Sequence, residues 1–282
     1  MKNYKSLFLV LFSTLLFISC TDVVDVDVQT APTRLVIEAS LDWEKGTQGN
    51  EQTIDLSAST EFFSSGNAPI ITGAIIQVTD LNTGDTFDFV DQGNGSYYTD
   101  EFIPAVGHRY QLEVIYEDET YMAEETLFAV PDLTVVGQSK EDGFSEDDLE
   151  VNMTLIDPEE EGNSYFFKFW KRGDLLPDFE EFDDEFVNGN KVDWFYEIGE
   201  DDDTDEKEAF QPGDTVDISF YAISPAYLKY MRILINQIGG VGLFESIPVS
   251  VKGNCINLTN ADNYAHGYFR VTQVVKTSYT FE

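Results

Sequence analysis

Three aspartates at alternate positions, Asp201, Asp203 and Asp205, are the side chains here whose spacing most suggests chemistry. Carboxylates at the first, third and fifth places of a loop are how an EF-hand begins to grip calcium. That loop also needs glycine at its sixth place and glutamate at its twelfth, where this chain has Glu206 and Pro212. The EF-hand reading fails. A looser calcium site on these three acids is one expectation, and a solvated acidic loop is the other. Histidine chemistry finds less support. His108 and His266 are the only two histidines, neither lies in a zinc-binding HExxH motif, and each stands beside a glycine at the start of a strand pattern. A nucleophile elbow, a P-loop and a dinucleotide-binding glycine fingerprint are all absent from the sequence. With 53 acids a glycosidase pair can be imagined anywhere, so none is singled out. The expectation is a non-enzymatic protein with no cofactor beyond the calcium in view, and a hydrolase is the remote alternative.

The two cysteines differ in meaning. Lys2 and Lys5 precede an apolar run from Leu7 to Ile18, and Ser19-Cys20 follows. A basic start and a short apolar stretch read as a signal peptide, residues 1–19, too short to span a bilayer in the mature chain. A small residue directly before Cys20 resembles a lipobox, so Cys20 is expected to carry lipid that anchors the protein to a membrane. Residues 20–32 then read as a tether. Its early acids, Asp22, Asp25 and Asp27, resemble the surface-export signal of Bacteroidota lipoproteins. Cys255 is left without an internal partner and reads as a small buried hydrophobe.

Aromatic residues within the acidic stretch form a third group. Phe179, Phe182 and Phe186 recur at three and four residues, the spacing of a short amphipathic helix, and Trp194, Phe195 and Tyr196 follow. Two readings stand open: a segment covering the core, or a partner-binding patch of Phe179, Phe182, Phe186, Trp194 and Phe195 rimmed by charge.

The elements that would carry these residues are mostly strands. Leu35, Ile37, Ala39 and Leu41 alternate with polar neighbours, as do Tyr110, Leu112, Val114 and Tyr116. Gln92-Gly93-Asn94-Gly95 is a turn signal, and short strands at this spacing suggest a β-sandwich over residues 33–131. Residues 132–282 read as a second β-rich domain with acidic loops over 173–209 and one helix over 225–238. Ser224 would cap that helix, Pro225 would open it, and Tyr227, Leu228, Met231, Leu234, Ile235 and Ile238 would form its apolar stripe. The fold class is thus mainly all-β. Lys plus Arg number 16 against 53 acids, a net charge of −37, which disfavours nucleic acid and anionic lipid headgroups as partners. Residues 141–208 hold 26 of those acids, which marks long exposed loops.

The chain resembles the Bacteroidota lipoprotein family of domain of unknown function 4249 (DUF4249). The resemblance runs from about residue 20 to the C-terminus. It rests on Leu35-Val36-Ile37-Glu38-Ala39, Gly73-Ala74, Val78-Thr79-Asp80, Gly95-Ser96-Tyr97 and the run Gly107 to Val114. Tyr121-Met122-Ala123, Val251-Lys252-Gly253-Asn254 and Gly267-Tyr268-Phe269 complete it. The resemblance implies an immunoglobulin-like first domain and an outer-membrane, surface-exposed setting. It also implies a TonB-dependent, SusC-like transporter as partner in nutrient uptake. A structural or adhesive surface protein with cation-stiffened loops is the alternative expectation.

Overall fold

The computed structural model describes residues 32–61, 66–198, 208–238 and 251–282. Its first seven strands are β1 (Leu35–Glu44), β2 (Gln52–Ala58), β3 (Ile75–Asp80), β4 (Thr86–Asp91), β5 (Ser96–Thr99), β6 (Arg109–Tyr116) and β7 (Glu119–Thr126). They pair in the orders β1-β2-β5 and β4-β3-β6-β7, with β4 also bridging to β5. The result is an immunoglobulin-like sandwich. Alternation builds it directly. Leu35, Ile37, Ala39 and Leu41 all face its core, where Ile54, Val78, Leu112 and Val114 meet them. Each such side chain stabilises the fold by roughly 1.5–3 kcal/mol when fully buried. Tyr110, at the start of β6, adds a tyrosine corner: its hydroxyl donates to Ile103 O at 3.0 Å and accepts from Ala105 N at 2.8 Å.

The remaining strands are β8 (Leu133–Ser139), β9 (Glu150–Ile156), β10 (Ser164–Lys171), β11 (Asp178–Asp183), β12 (Lys191–Glu197), β13 (Thr215–Ile223), β14 (Ile256–Asn257) and β15 (His266–Thr280). The helix α1 spans Pro225–Ile238. Strands β11-β10-β13-β15 form one sheet that continues through β15 into β1, while β12-β9-β8 form a separate three-stranded sheet. Between these two sheets lies an aromatic core of Tyr165, Phe167, Phe169, Phe210 and Phe220. On the opposite face of the larger sheet α1 buries Tyr227, Leu228 and Met231 against Phe166, Tyr221 and Tyr268. The Ser224 hydroxyl accepts from Tyr227 N at 3.1 Å, the cap expected there. The side chain of Ile238 lies outside the described residues.

β15 ties the two cores together. Its odd residues enter the first core at Phe269 and Val271 and the second at Val275 and Tyr279, while the even residues Tyr268 and Val274 lie beneath α1. The first core is thus not contained within residues 33–131, because Cys255, Ala265, Phe269 and Val271 complete it. Two glycines permit this closure. A β-carbon on Gly267 would stand 2.1 Å from Ile37 O, and one on Gly253 would overlap the Gly267 carbonyl. Next to them the Asn254 side chain pairs with the backbone of Phe269 through two hydrogen bonds of 2.8 Å.

The acidic segment over 173–209 departs from expectation. It contains β11, a 3-10 turn at Asp184–Phe186, and β12. Several of its acids are structural. Asp184 is buried and accepts from Gly162 N at 2.7 Å and Asn163 N at 2.9 Å.

Candidate functional site

The short helix expected from Phe179, Phe182 and Phe186 is not formed. On β11 the period is two, so a spacing of three puts Phe179 and Phe182 on opposite faces. β11 is an edge strand covered on both sides, and each face has its own work. The odd residues meet α1: Phe179 stacks on Phe166 at 5.5 Å, while Glu181 and Asp183 accept from Arg232 at 2.8 and 3.1 Å. The even residues meet β12. There Phe182 stacks on Trp194 at 4.6 Å, Glu180 accepts from Trp194 Nε1 at 2.7 Å, and Asp178 accepts from the Tyr196 hydroxyl at 2.7 Å.

The five aromatics therefore do not form one patch. Phe179, Phe182 and Trp194 are partly buried against the cores. Phe186 is 89% exposed on the 3-10 turn, and Phe195 lies on the outer face of the small sheet with its ring 5.8 Å from Phe144. Cys20, Asp201, Asp203 and Asp205 lie outside the described residues, as does the whole run Glu200 to Glu206. Among the described residues no helix is long and apolar enough to cross a membrane.

Glu180 has the most displaced carboxyl in this region. Burial pushes its pKa up to about 7; the Trp194 bond opposes that shift and the neighbouring Asp178 adds to it. A carboxyl that holds its proton near neutrality can serve as a general acid. Such work needs a cleft beside it. The outer face of the small sheet carries one of about 440 Å³, lined by Val136, Lys191, Asp193, Trp194 and Phe195 among others. A second, of about 310 Å³, lies between α1 and residues 251–254, and a third, of about 260 Å³, is framed by Asp42, Glu44 and Lys276. Asp178 and Glu180 line none of these three. His108 holds a turn, with Nδ1 2.7 Å from Asp80 Oδ2. Asp80 also accepts from the amides of Asn82 and Thr83. Although burial raises its pKa, these bonds outweigh that and hold it below the usual aspartate value. Burial pushes the Cys255 thiol up to about 12, so it stays protonated and unreactive.

The surface beside β11 carries an apolar tip. The hairpin between β10 and β11 presents Leu175 at 93% and Leu176 at 72% exposure, with Trp170 beside them donating its Nε1 to Asp174 O at 2.9 Å. Sequence reasoning missed this tip. Its signal was two consecutive leucines after Gly173 and before Pro177, where a solvated loop would carry polar residues.

A family model described as "Domain of unknown function (DUF4249)" matches residues 21–278. Among curated proteins none matches the chain. Of the solved structures, a two-domain fibronectin type III segment of chicken tenascin is similar at 10% identity. It covers 75% of this chain and 94% of its own, with a TM-score of 0.23. A cytokine receptor complex is 10% identical over 68% of this chain and 92% of that one, with a TM-score of 0.26. The FN1–FN3 domains of chicken CNTN1 are 14% identical over 70% and 62%, with a TM-score of 0.24.

Proposed function

We propose, from the premise that this chain belongs to the DUF4249 family, that it is a lipid-anchored, non-enzymatic docking protein of the outer-membrane surface. Its partner is a TonB-dependent transporter of the SusC-like kind, and its role lies in nutrient uptake. The exposed leucine tip of the β10–β11 hairpin is the observation that carries this reading. Adjacent large apolar side chains held in water on a hairpin gain free energy when a partner covers them. Acids flank the tip at Asp174 and Asp178, so basic loops of a barrel would be steered towards it. The lipid expected on Cys20 keeps the protein near membrane neighbours, where effective concentration is high and a modest interface stays occupied.

The test is recovery of an outer-membrane barrel with the full chain in mild detergent. Leu175→Ser with Leu176→Ser removes the apolar tip at an exposed site and leaves the fold intact. Recovery is expected to fall by about tenfold or more, the loss of roughly 1.4 kcal/mol or more of binding. Undiminished recovery would take the tip out of the interface. Wild-type protein that recovers no barrel would end the uptake reading itself.

A further inference from the structure

Strands β9 and β12 turn one face to the aromatic core and the other outward. On the outward face Glu150 and Glu197 are direct cross-strand partners. Like charges placed so are destabilising even in water. Here water is largely excluded, since the chain between β8 and β9 folds back over the pair and Glu150 is 0% exposed. That loop satisfies one oxygen of each carboxylate. Glu150 Oε1 accepts from Glu141 N at 3.2 Å, from Asp142 N at 2.9 Å and from the Ser139 hydroxyl, while Glu197 Oε1 accepts from Phe144 N at 2.6 Å.

The other two oxygens are left over. Glu150 Oε2 and Glu197 Oε2 are both buried without a hydrogen-bond donor. Both converge beside Gly143, where a β-carbon would stand 2.6 Å from the first and 2.0 Å from the second. The two oxygens are therefore at most 4.6 Å apart, the sum of 2.0 and 2.6. Asn152 Oδ1 is a third buried oxygen without a donor, and its amide group shares the Ser139 hydroxyl with Glu150. Among the described residues no Lys, Arg or His is ion-paired with either glutamate. The loop adds further acids at Glu141, Asp142, Glu146, Asp147 and Asp148. Besides the Ser139 hydroxyl and the amides of Glu141 and Asp142, the Gly143 amide also bears on Glu150. The loop thus supplies hydroxyl and amide donors that suit a carboxylate, with no cationic side chain ion-paired to it among the described residues.

A carboxylate oxygen buried without a donor is destabilising, and a like charge directly across the strands adds to it. Calcium takes six to eight hard oxygens at about 2.3–2.6 Å in irregular geometry, so two of its ligands can stand up to roughly 5 Å apart. The separation at Gly143 lies inside that limit. Magnesium, with a near-ideal octahedron at about 2.1 Å, suits an irregular loop less well. We propose that Glu150 and Glu197 form a calcium site that fastens the β8–β9 loop onto the outer face of the small sheet, with water completing the oxygen shell. Among the described residues no group of three or more His, Cys, Asp or Glu converges as a metal cluster. Two carboxylates correspond to the weaker calcium sites of extracellular modules, with a Kd of about 10⁻⁴–10⁻³ M. The site is separate from the Asp201, Asp203 and Asp205 set and independent of the docking reading.

The experiment is calcium titration of the full chain, previously stripped with EDTA, read by calorimetry and by hydrogen exchange of residues 140–149. Saturable binding of one calcium is expected at that affinity, with slowed exchange in the loop, and sodium at matched ionic strength should not reproduce it. Glu197→Gln at a half-buried position and Gly143→Ala, whose methyl would press on both free oxygens, should each weaken binding by about tenfold or more. Asp201→Asn with Asp203→Asn and Asp205→Asn should leave the loop's calcium response unchanged. Absence of saturable binding up to about 10 mM calcium would overturn the proposal. So would an unchanged affinity in both site variants, or loss of the loop's response in the triple variant. Protection of the loop by acid alone, with no further effect of calcium, would show a shared proton in place of the metal and would also overturn it.

Discussion

The sandwich of β1 to β7 and the aromatic layers of β8 to β13 are built from the same element and differ in what covers it. In the sandwich one face of each strand is buried and the other is wet, so Leu35, Ile37, Ala39 and Leu41 alternate with half-buried and exposed neighbours. In the second region β10 is buried almost throughout, and β11 is flanked by α1 on one side and β12 on the other. Carboxylates there are drawn inward as acceptors for Trp, Tyr and backbone N–H groups, as at Glu180, Asp178 and Asp184. One region is thus stabilised mainly by aliphatic alternation. The other combines stacked rings with buried acids, and its strand ends and hairpin tip carry the Glu150–Glu197 pair and the exposed Leu175 and Leu176.

The sharpest test of this contrast is in the cores. Phe167 is fully buried and stacks on Phe169 at 5.2 Å and on Phe220 at 4.5 Å. Phe167→Ala should cost about 3–5 kcal/mol and Leu112→Ala in the sandwich about 2–5 kcal/mol. Because β15 enters both cores, both variants should shift one urea transition. Two separate transitions would break the picture of coupled regions.

Titration should separate Glu180 in the second region from Asp80 in the sandwich by sign. The folded state holds a proton on Glu180 that the unfolded chain releases at the ordinary glutamate value of 4.5, and keeps it up to about pH 7. Stability should therefore fall as pH rises through that window, and Glu180→Gln should remove the slope and gain at most about 3 kcal/mol above it. Asp80 in the sandwich behaves oppositely. Its pKa is lowered, so the stability it contributes is present above the ordinary aspartate value and is lost as pH falls below it. Urea denaturation of Glu180→Gln and Asp80→Asn across pH 3–8 checks both signs, and parallel profiles would contradict the account.

Within the sandwich, Tyr110→Phe removes both bonds of the tyrosine corner and should cost about 1–3 kcal/mol in the same urea assay. The smallest expected effect is a gain. The β6–β7 turn places Glu117 at φ 49° and Asp118 at φ 63°, a left-handed pair that Asn-Gly adopts more readily. Glu117→Asn with Asp118→Gly should raise stability by about 1 kcal/mol, and a loss on thermal melting would rule out the turn type.

Legibility followed the same division. The sandwich strands, the Gln92–Gly95 turn, and α1 with its Ser224 cap could be read from spacing because one face of each faces water. β11 could not. A strand wanted on both faces shows no period of two, and its Phe spacing of three and four imitates a helix. The Glu150–Glu197 pair was equally hidden, since it depends on strand register between residues far apart in sequence. The leucine tip was visible as an apolar pair in a loop, but only exposure gives that pair its meaning.

The docking claim is tested most directly by asking which region touches a partner. A photo-crosslinking residue at Leu176, 72% exposed, is compared with one at Ile75 in the sandwich, 65% exposed, both in the lipidated protein on intact cells. An adduct with an outer-membrane barrel is expected from position 176 and none from position 75. Equal adducts from both positions, or an adduct from position 75 alone, would contradict that claim.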